Sequence, residues 1–550
     1  MRDRAALRIA VADPGFTPSE REAAALLELL GEDEHARAAT RALLRIPAAA
    51  RAAVTAGFET LVGAARAGAC ELVGRLAREH DATLAPWLVE RLRDADASTR
   101  RRAATALGKL EDPQFEAPLL AAWSAADSAS ERRAIVAALG QSGDAGAQAL
   151  LAELAQGPWV RDDAELARIV GEAQLKLARE QLRREPSSIA LDVALDREVE
   201  LALSVRRGFE PVLAEELAAL GLRPRVGNGA LLVRSAGPLR RLLQARTFLQ
   251  LSIVLPPVRV GAGGLEAAIV RALASDTAQQ VLLGWTHGPI RWRLHWHGAG
   301  HRRGATFRVA AAVAELVPAL VNDAREAPWQ VQVTVQGDRV AIELQPRLDD
   351  PRFAWRRGAV PASSHPTVAA ALAHVAGAAA RDVVWDPFVG AGAELIERAR
   401  LGPYRALFGS DLDDAALAIA ADNLAAAGVA DATLTRADAR RHRPALPPTL
   451  VLTNPPMGHR VRAGGAQALG ELLDAALSSW LQQLVSDRDA RGRIVWLSPV
   501  PERTAANPRA RVVLRRAVDL NGLAAELQVL QRREDSAPAH RRSRARSRQP

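Results

Sequence analysis

Four polar residues between positions 383 and 458 each close a short apolar run: Asp386, Asp411, Asp438 and Asn454. The first opens Asp386-Pro387-Phe388-Val389-Gly390-Ala391-Gly392. A glycine loop between a strand and a helix lets a ligand approach the backbone closely and turns N–H groups toward it. An acid ahead of that loop repels a phosphate but suits a cationic ligand bearing an amino-acid group. Asp411 follows twenty-five residues later, at the end of ALFGSD, where a carboxylate can accept two hydrogen bonds from vicinal ribose hydroxyls. Asn454-Pro455-Pro456-Met457-Gly458 sets an amide on a turn stiffened by two prolines, whose φ angles are fixed.

The elements that must position these groups are legible from the pattern. VVW (383–385), ALFGSD (406–411), ATLTRAD (432–438) and TLVLTNPP (449–456) read as four strands. AELIERAR (393–400) and DAALAIAADNLAAAG (414–428) read as helices between them, and a helix at 466–485 with strands at 492–499 and 525–533 completes the set. Alternation of this kind predicts a doubly wound α/β sheet with its ligand at the carboxyl edge. Each acid taken alone is equally a helix N-cap; only the four ends in order argue for a site.

This order resembles class I S-adenosylmethionine-dependent methyltransferases. The resemblance implies S-adenosyl-L-methionine as cofactor. It puts Asp386, Gly390 and Gly392 at the methionine end, Asp411 at the ribose and Asp438 at the adenine amine, with Phe388, Leu412 and Asn454 among the further contacts. Nicotinamide-dependent oxidoreductases share the early part but lack Asn-Pro-Pro after the fourth strand. That motif resembles the Asn-Pro-Pro-aromatic loop of enzymes that methylate planar nitrogen, which implies a catalytic set of Asn454, Pro455, Pro456 and Met457. A ring-conjugated amine is a poor nucleophile; the Asn454 oxygen and the Pro455 carbonyl can accept its two N–H bonds and hold it in line with the methyl group. The chain departs from the family at Met457, where an aromatic residue is usual, and at Val389, Ala391 and Ala393, where relatives often carry Cys or Met, Ser and Thr.

Upstream, Ser363-Ser364-His365-Pro366 precedes a helix, as a segment does in THUMP-containing RNA methyltransferases, and His365 is a candidate cofactor contact by that likeness. Strands at 199–205, 230–235 and 249–255, helices after Glu210 and at 238–246, strand IRWRLHWH (290–297), a helix through AAVAELVPALVND and a hairpin VQVTV/VAIEL about Gln336-Gly337-Asp338-Arg339 describe an α+β region at 198–350. With its Gly208-Phe209-Glu210 turn it resembles the ferredoxin-like and THUMP modules of those enzymes, which implies RNA binding. His295, Trp296, His297, His301, Arg302 and Arg303 cluster without a carboxylate or Cys to complete a metal set. A strand followed by a basic loop that stacks on bases fits them, and so does a plain solvated hairpin.

Residues from about 50 to 180 are rich in Ala, Leu and Arg at helical spacing. Arg101-Arg102-Ala103-Ala104 recurs as Arg132-Arg133-Ala134-Ile135, and glycines at 74, 108, 140 and 171 repeat every 31 to 34 residues, a period suited to helix pairs with a glycine ending the second helix. Residues 84–114 resemble a HEAT-type repeat, which implies a solenoid with a face for a protein partner. The whole chain, 550 residues with 49% hydrophobic and 25% charged, has the balance of a folded multidomain protein. Its net +9 includes five arginines of a polar tail at 535–550, which predicts disorder and phosphate attraction there. A single cysteine excludes zinc–thiolate clusters and internal disulfides, and with no apolar run of membrane length the reading is a cytoplasmic protein without membrane attachment.

The expected architecture is therefore a HEAT-like helical domain (1–185), a ferredoxin-like/THUMP-like region (198–350) and a doubly wound methyltransferase domain (360–534). The expected reaction is methylation of an exocyclic base nitrogen in structured RNA, rRNA or tRNA, with guanine N2 supplied by the resemblance. DNA adenine N6, a protein glutamine, or a non-catalytic scaffold that only binds the cofactor are the alternatives.

Overall fold

The computed structural model describes residue 2 and residues 4–298, 302–361, 363–458, 465–486 and 491–533. His301 and the Arg-rich tail lie outside the described residues. The chain forms two compact units, residues 1–186 and 187–550.

The first unit is entirely helical. Helices Gly63–Glu79, Ala97–Gly108, Ala129–Ser142 and Ala164–Arg184 pack each against the next. Side chains of Asp96, Ser128 and Asp163 cap the last three by accepting from the backbone N–H of Thr99, Glu131 and Leu166. Arginines bridge successive repeats: Arg66 to Asp94, Arg100 to Glu131 and Arg133 to Asp163. Three of the four periodic glycines do not end helices as the spacing suggests. Gly74, Gly140 and Gly171 lie inside them, and Gly108 is the last residue of its own. Their period marks close approach between helices. A β-carbon at Gly74 would meet Ala106 at 2.7 Å, and one at Gly108 or Gly140 would sit 2.6 Å from the α-carbon of Ala138 or Ala173. Gly171, on the last long helix of the unit, has open space there.

In the second unit, residues 199–346 build one nine-stranded sheet. Strand Gln250–Val254 of the first half pairs antiparallel with Arg339–Pro346 of the second, joining the halves. The second half runs helix Gly264–Leu273, helix Asp276–Gly284, strand Ile290–Trp296, helix Arg303–Leu316, strand Leu320–Asn322 and the hairpin Trp329–Gln336/Arg339–Pro346. The helix placed by sequence at AAVAELVPALVND starts earlier, at Arg303, and stops before Pro318, because the residue ahead of a proline is forced out of the helical region. Strand Leu320–Asn322 takes the segment that follows. The helix expected at 238–246 is a single turn, Leu239–Leu242.

The C-terminal layer carries the site. Its strands are β1 (Val383–Asp386), β2 (Ala406–Asp411), β3 (Thr433–Arg436), β4 (Leu450–Thr453), β5 (Arg493–Ser498), β6 (Ala510–Asp519) and β7 (Ala524–Arg532). Helices α1 (Pro366–Ala376), α2 (Ala393–Arg400), α3 (Asp414–Ala426) and α4 (Gly465–Gln483) alternate with them. The strand order is β3-β2-β1-β4-β5-β7-β6, with β7 antiparallel to β5 and β6. The order reverses between β1 and β4, so the carboxyl ends of these two strands open the crevice in which doubly wound sheets bind ligands. The sequence pattern does not mark strand β6: RVVLRRAVD alternates for an edge, with Arg516 interrupting its apolar face.

At the opposite end of β1, Asp382 is buried and held by Arg398 at 2.8 Å, Arg493 at 2.9 Å and the Thr449 hydroxyl at 3.2 Å. Burial pushes its carboxyl up, but hydrogen bonds from Arg493 and Arg398 outweigh that and hold it below the usual range. Replacing Asp382 with Ala strands Arg398, itself fully buried, and is expected to cost about 3–5 kcal/mol in urea unfolding. In the helical unit, Gly140→Val forces a branched side chain onto the Ala173 backbone, with an expected loss of about 1–3 kcal/mol by the same measurement.

Candidate active site

Asp386 ends β1 fully buried. Its Oδ1 accepts the backbone N–H of Phe388 at 3.0 Å, whereas Oδ2 has no hydrogen-bond partner. Burial, and after it the charge of Glu394, raise its pKa well above the ordinary carboxylate value; the Thr453 hydroxyl at the end of β4 opposes this, although it makes no hydrogen bond of ordinary geometry. The loop beyond Asp386 takes left-handed backbone at Gly390 (φ +48°) and Gly392 (φ +82°), which explains glycine at both. Asp411 ends β2 and ties the two strand ends together: its Oδ2 accepts the Gly390 N–H at 3.0 Å, and its Oδ1 that of Asp413 at 3.1 Å. Leu412 beside it is largely exposed at the same edge.

Asp438 lies two residues beyond the end of β3. Arg440 engages both of its oxygens, at 2.9 and 2.6 Å, and holds its pKa down at about 2. Asn454 follows β4. Its side-chain nitrogen donates to the Ser364 hydroxyl at 2.8 Å, while its oxygen is buried without a partner. Pro455 is buried, Pro456 is exposed, and Met457 is half-buried against the core.

His365 is the N-cap of α1, with Nδ1 2.8 Å from the Thr367 hydroxyl. The residue is exposed to solvent on one side. Lost hydration around the rest, and the charges of Arg206, Arg356 and Arg352, push its pKa down to about 4, so at neutral pH the ring is uncharged. Of these arginines, Arg356 donates to the Ser363 hydroxyl at 3.2 Å, and Arg352 is buried and paired with Asp350 at 2.7 Å. The structure thus brings Asp386, Gly390, Asp411 and Asn454 together at one edge, with the His365 segment linked to them through Ser364.

Two features carry no sequence motif. Asn423, buried on α3, accepts the N–H groups of Arg357 and Gly358 at 2.9 and 3.1 Å and donates to the carbonyls of Gly358 and Ala391 at 3.0 and 2.9 Å. One amide therefore pins the glycine loop to the segment that leads into α1. Glu397 on α2 binds Arg246 of the preceding domain through two hydrogen bonds at 2.6 and 2.7 Å, locking α2 to it. The only sequence signal was an amide in an Ala-rich helix and a carboxylate two turns from a glycine loop. Beneath the loop, Trp480 of α4 contacts Trp385, Phe388 and Trp496 edge-on, at 6.2, 6.0 and 5.9 Å between ring centres.

Farther upstream, His295 and His297 meet edge-to-face at 5.2 Å, and Arg302 stacks over Trp296 at 5.2 Å. Among the described residues, no group of three metal-ligating side chains occurs. No described helix is long and apolar enough to cross a membrane.

Residues 354–516, which include His365, Asp386, Asp411, Asp438 and Asn454, match the family model UPF0020, the RMKL-like methyltransferase domain. This segment is a methyltransferase domain. Residues 85–169 match HEAT repeats. The chain is 34% identical over 155 residues to a tRNA (guanine(6)-N2)-methyltransferase of Thermus thermophilus, covering 27% of this chain and 45% of that protein. It is 29% identical over 144 residues to a tRNA (guanine(10)-N2)-dimethyltransferase of Methanothermobacter thermautotrophicus, covering 26% and 42%. The chain thus spans less than half the length of the curated relatives it matches. Among solved structures, TrmN from Thermus thermophilus superposes with a TM-score of 0.50 at 25% identity, covering 61% of this chain and all of that one.

Asn423→Ala removes all four of its bonds at once. The methyltransferase domain is expected to lose about 1–3 kcal/mol, with faster amide exchange confined to residues 357–358 and 390–392.

Proposed function

We propose that this protein transfers the methyl group of S-adenosylmethionine to an exocyclic base nitrogen of structured RNA, guanine N2 of tRNA in particular. The observation that carries the reading is the pair of unpartnered acceptors on adjacent strand ends, Asp386 Oδ2 and Asn454 Oδ1. A buried acceptor without a donor costs about 1–3 kcal/mol, and both are met if each receives a proton donor from a ligand. The two ligands differ in kind. A carboxylate between a glycine loop and a strand end suits an ammonium, while a neutral amide oxygen on a stiff turn suits a base N–H.

The donor set fits S-adenosylmethionine. Asp386 Oδ2 is free for its ammonium, the Gly390–Gly392 backbone allows close approach, and Asp411 retains lone pairs for ribose hydroxyls beyond the two backbone bonds it accepts. Phe388 and the exposed Leu412 offer apolar walls. Asp438, already bridged by Arg440, is left a secondary share at the adenine end. When bound, the cofactor supplies an electrophilic methyl group on a sulfonium. Asn454 and the Pro455 carbonyl hold the amine by its N–H bonds, so its lone pair points at that carbon; Pro456 and Met457 shape the outer side of the loop. His365, neutral and engaged with Thr367, serves as a helix cap that borders the cofactor pocket.

Charge distribution supports RNA as the substrate of residues 187–550. That part holds 47 Lys and Arg against 35 Asp and Glu, whereas residues 1–186 hold 25 against 28. The helical repeats are therefore assigned to a protein partner, and phosphate attraction to the remainder. The α+β region, with two helices before a strand, a helix, a strand and a hairpin, is read as a THUMP-like RNA-binding module, with Trp296, Arg302 and the two histidines on its rim.

Tritium transfer from labelled cofactor to purified tRNA, rRNA, DNA and protein tests this. Label is expected in RNA, as N2-methylguanosine; label in DNA or protein with none in RNA overturns it. Asp386→Asn is expected to weaken cofactor binding at least tenfold by calorimetry, since hydrogen bonds to charged groups contribute about 1.5–3 kcal/mol. Asn454→Ala should leave that affinity within a few-fold and lower kcat about 10²–10³-fold, the range for loss of one transition-state hydrogen-bonding group.

A further inference from the structure

Glu394 stands in the first turn of α2 and is buried, a costly place for an acid without a cation. Its Oε1 accepts the hydroxyl of Ser364. The Ser364 oxygen in turn receives the Asn454 side-chain NH₂ at 2.8 Å. The three groups form a directional chain. A serine hydroxyl has one proton; once it is given to Glu394, Ser364 can only accept from Asn454, which fixes the amide with its oxygen turned away and unpartnered. An apolar residue at 394 would fill the space but would leave that proton free to bond the Asn454 oxygen.

We propose that Glu394, acting through Ser364, is a positioning residue that sets the amide orientation of Asn454 and thereby keeps its oxygen available to the substrate amine. The inference rests on the reading of Asn454 given above. Protonated Glu394 no longer requires the Ser364 proton, so the amide can turn and present NH₂ to the incoming amine, which repels it. The charged groups bearing on Glu394 are Asp386 at the end of β1 and Glu397 one turn along α2, the latter paired with Arg246; Asp411 acts on Asp386 from β2. On the Ser364 side stands His365, neutral above about pH 4, with Arg206 and Arg356 beyond it. Burial, and then Glu397, push the Glu394 carboxyl up to about 7 against the bond from Ser364, which favours the ionised form. The productive orientation is therefore present above about pH 7 and lost as pH falls through that value.

The chain has six asparagines, so selective labelling gives a readable set of side-chain amide signals. With the Asn454 signal assigned by its loss in Asn454→Asp, the full-length protein without cofactor is expected to show that NH₂ pair titrating near pH 7. The titration should vanish in Glu394→Gln and Ser364→Ala. In turnover with saturating cofactor, Ser364→Ala and Glu394→Leu should lower kcat about tenfold with cofactor affinity changed less than threefold. Glu394→Gln, whose amide oxygen can still accept the serine proton, should restore kcat to within about threefold and flatten the acid limb. An Asn454 signal insensitive to pH, or unchanged in Glu394→Leu and Ser364→Ala, overturns the proposal. A titrating signal in a protein that methylates no RNA upholds the relay and rejects the proposed substrate, so the two failures are distinguishable.

Discussion

Strand β1 carries a buried aspartate at each end, and the contrast between them governs the domain. Asp382 is neutralised by two arginines and a threonine, the usual way a fold makes a buried carboxylate tolerable. Asp386 is as deeply buried, has no cation beside it, and faces a second buried acid, Glu394. The first acid secures β1 to β4, β5 and α2. The second leaves an unmet charge at the point where the strand order reverses. That asymmetry is the ground on which a ligand site is proposed at the second end.

Holding such a site open requires that its walls not relax onto it. Three polar clamps prevent this. Asp411 accepts the Gly390 N–H, Asn423 pins the loop to the entry of α1, and Glu397 binds Arg246 of the preceding domain. Each ties a residue within reach of the glycine loop to a different element, so the loop is fixed from the sheet, from α3 and from the neighbouring domain. The tryptophan cluster around Trp480 supports Phe388 from below, where packing rather than hydrogen bonding sets the geometry.

Much of this was legible in the chain. Strand ends, glycine loop and Asn-Pro-Pro turn are local features in which sequence order equals structural order, so β1 to β4 and Asp386, Asp411 and Asn454 could be placed from spacing alone. The repeat period in the helical unit was equally visible, but its cause was not. A glycine that ends a helix and one that lets two helices touch leave the same mark at a 31- to 34-residue interval, and only the distance from Gly140 to Ala173 separates them. The relay from Glu394 through Ser364 to Asn454 was hidden for a different reason. Glu394 and Ser364 are thirty residues apart, and Ser364 and Asn454 ninety. Two of these neighbourhoods carry motifs, but nothing in them links the three side chains, because their chemistry exists only once the sheet brings the segments together. The helix pair at 264–284 and strand β6 went unread because their apolar patterns are short and broken by charges.

The departures from the family pattern at the glycine loop acquire a physical sense in this setting. Ala391 and Ala393 bring no hydroxyl to a loop that already contains buried acids, and polar atoms are supplied instead from outside it, by Ser364 and Thr453. On the proposed reading, recognition of the cofactor's ammonium then depends on charge more than on a hydroxyl lining. The ammonium is met by Asp386 alone, whose pKa is raised by burial and then by the charge of Glu394. The two buried carboxylates thereby divide the work, Asp386 aimed at the cofactor and Glu394, through Ser364, at the amide that meets the base.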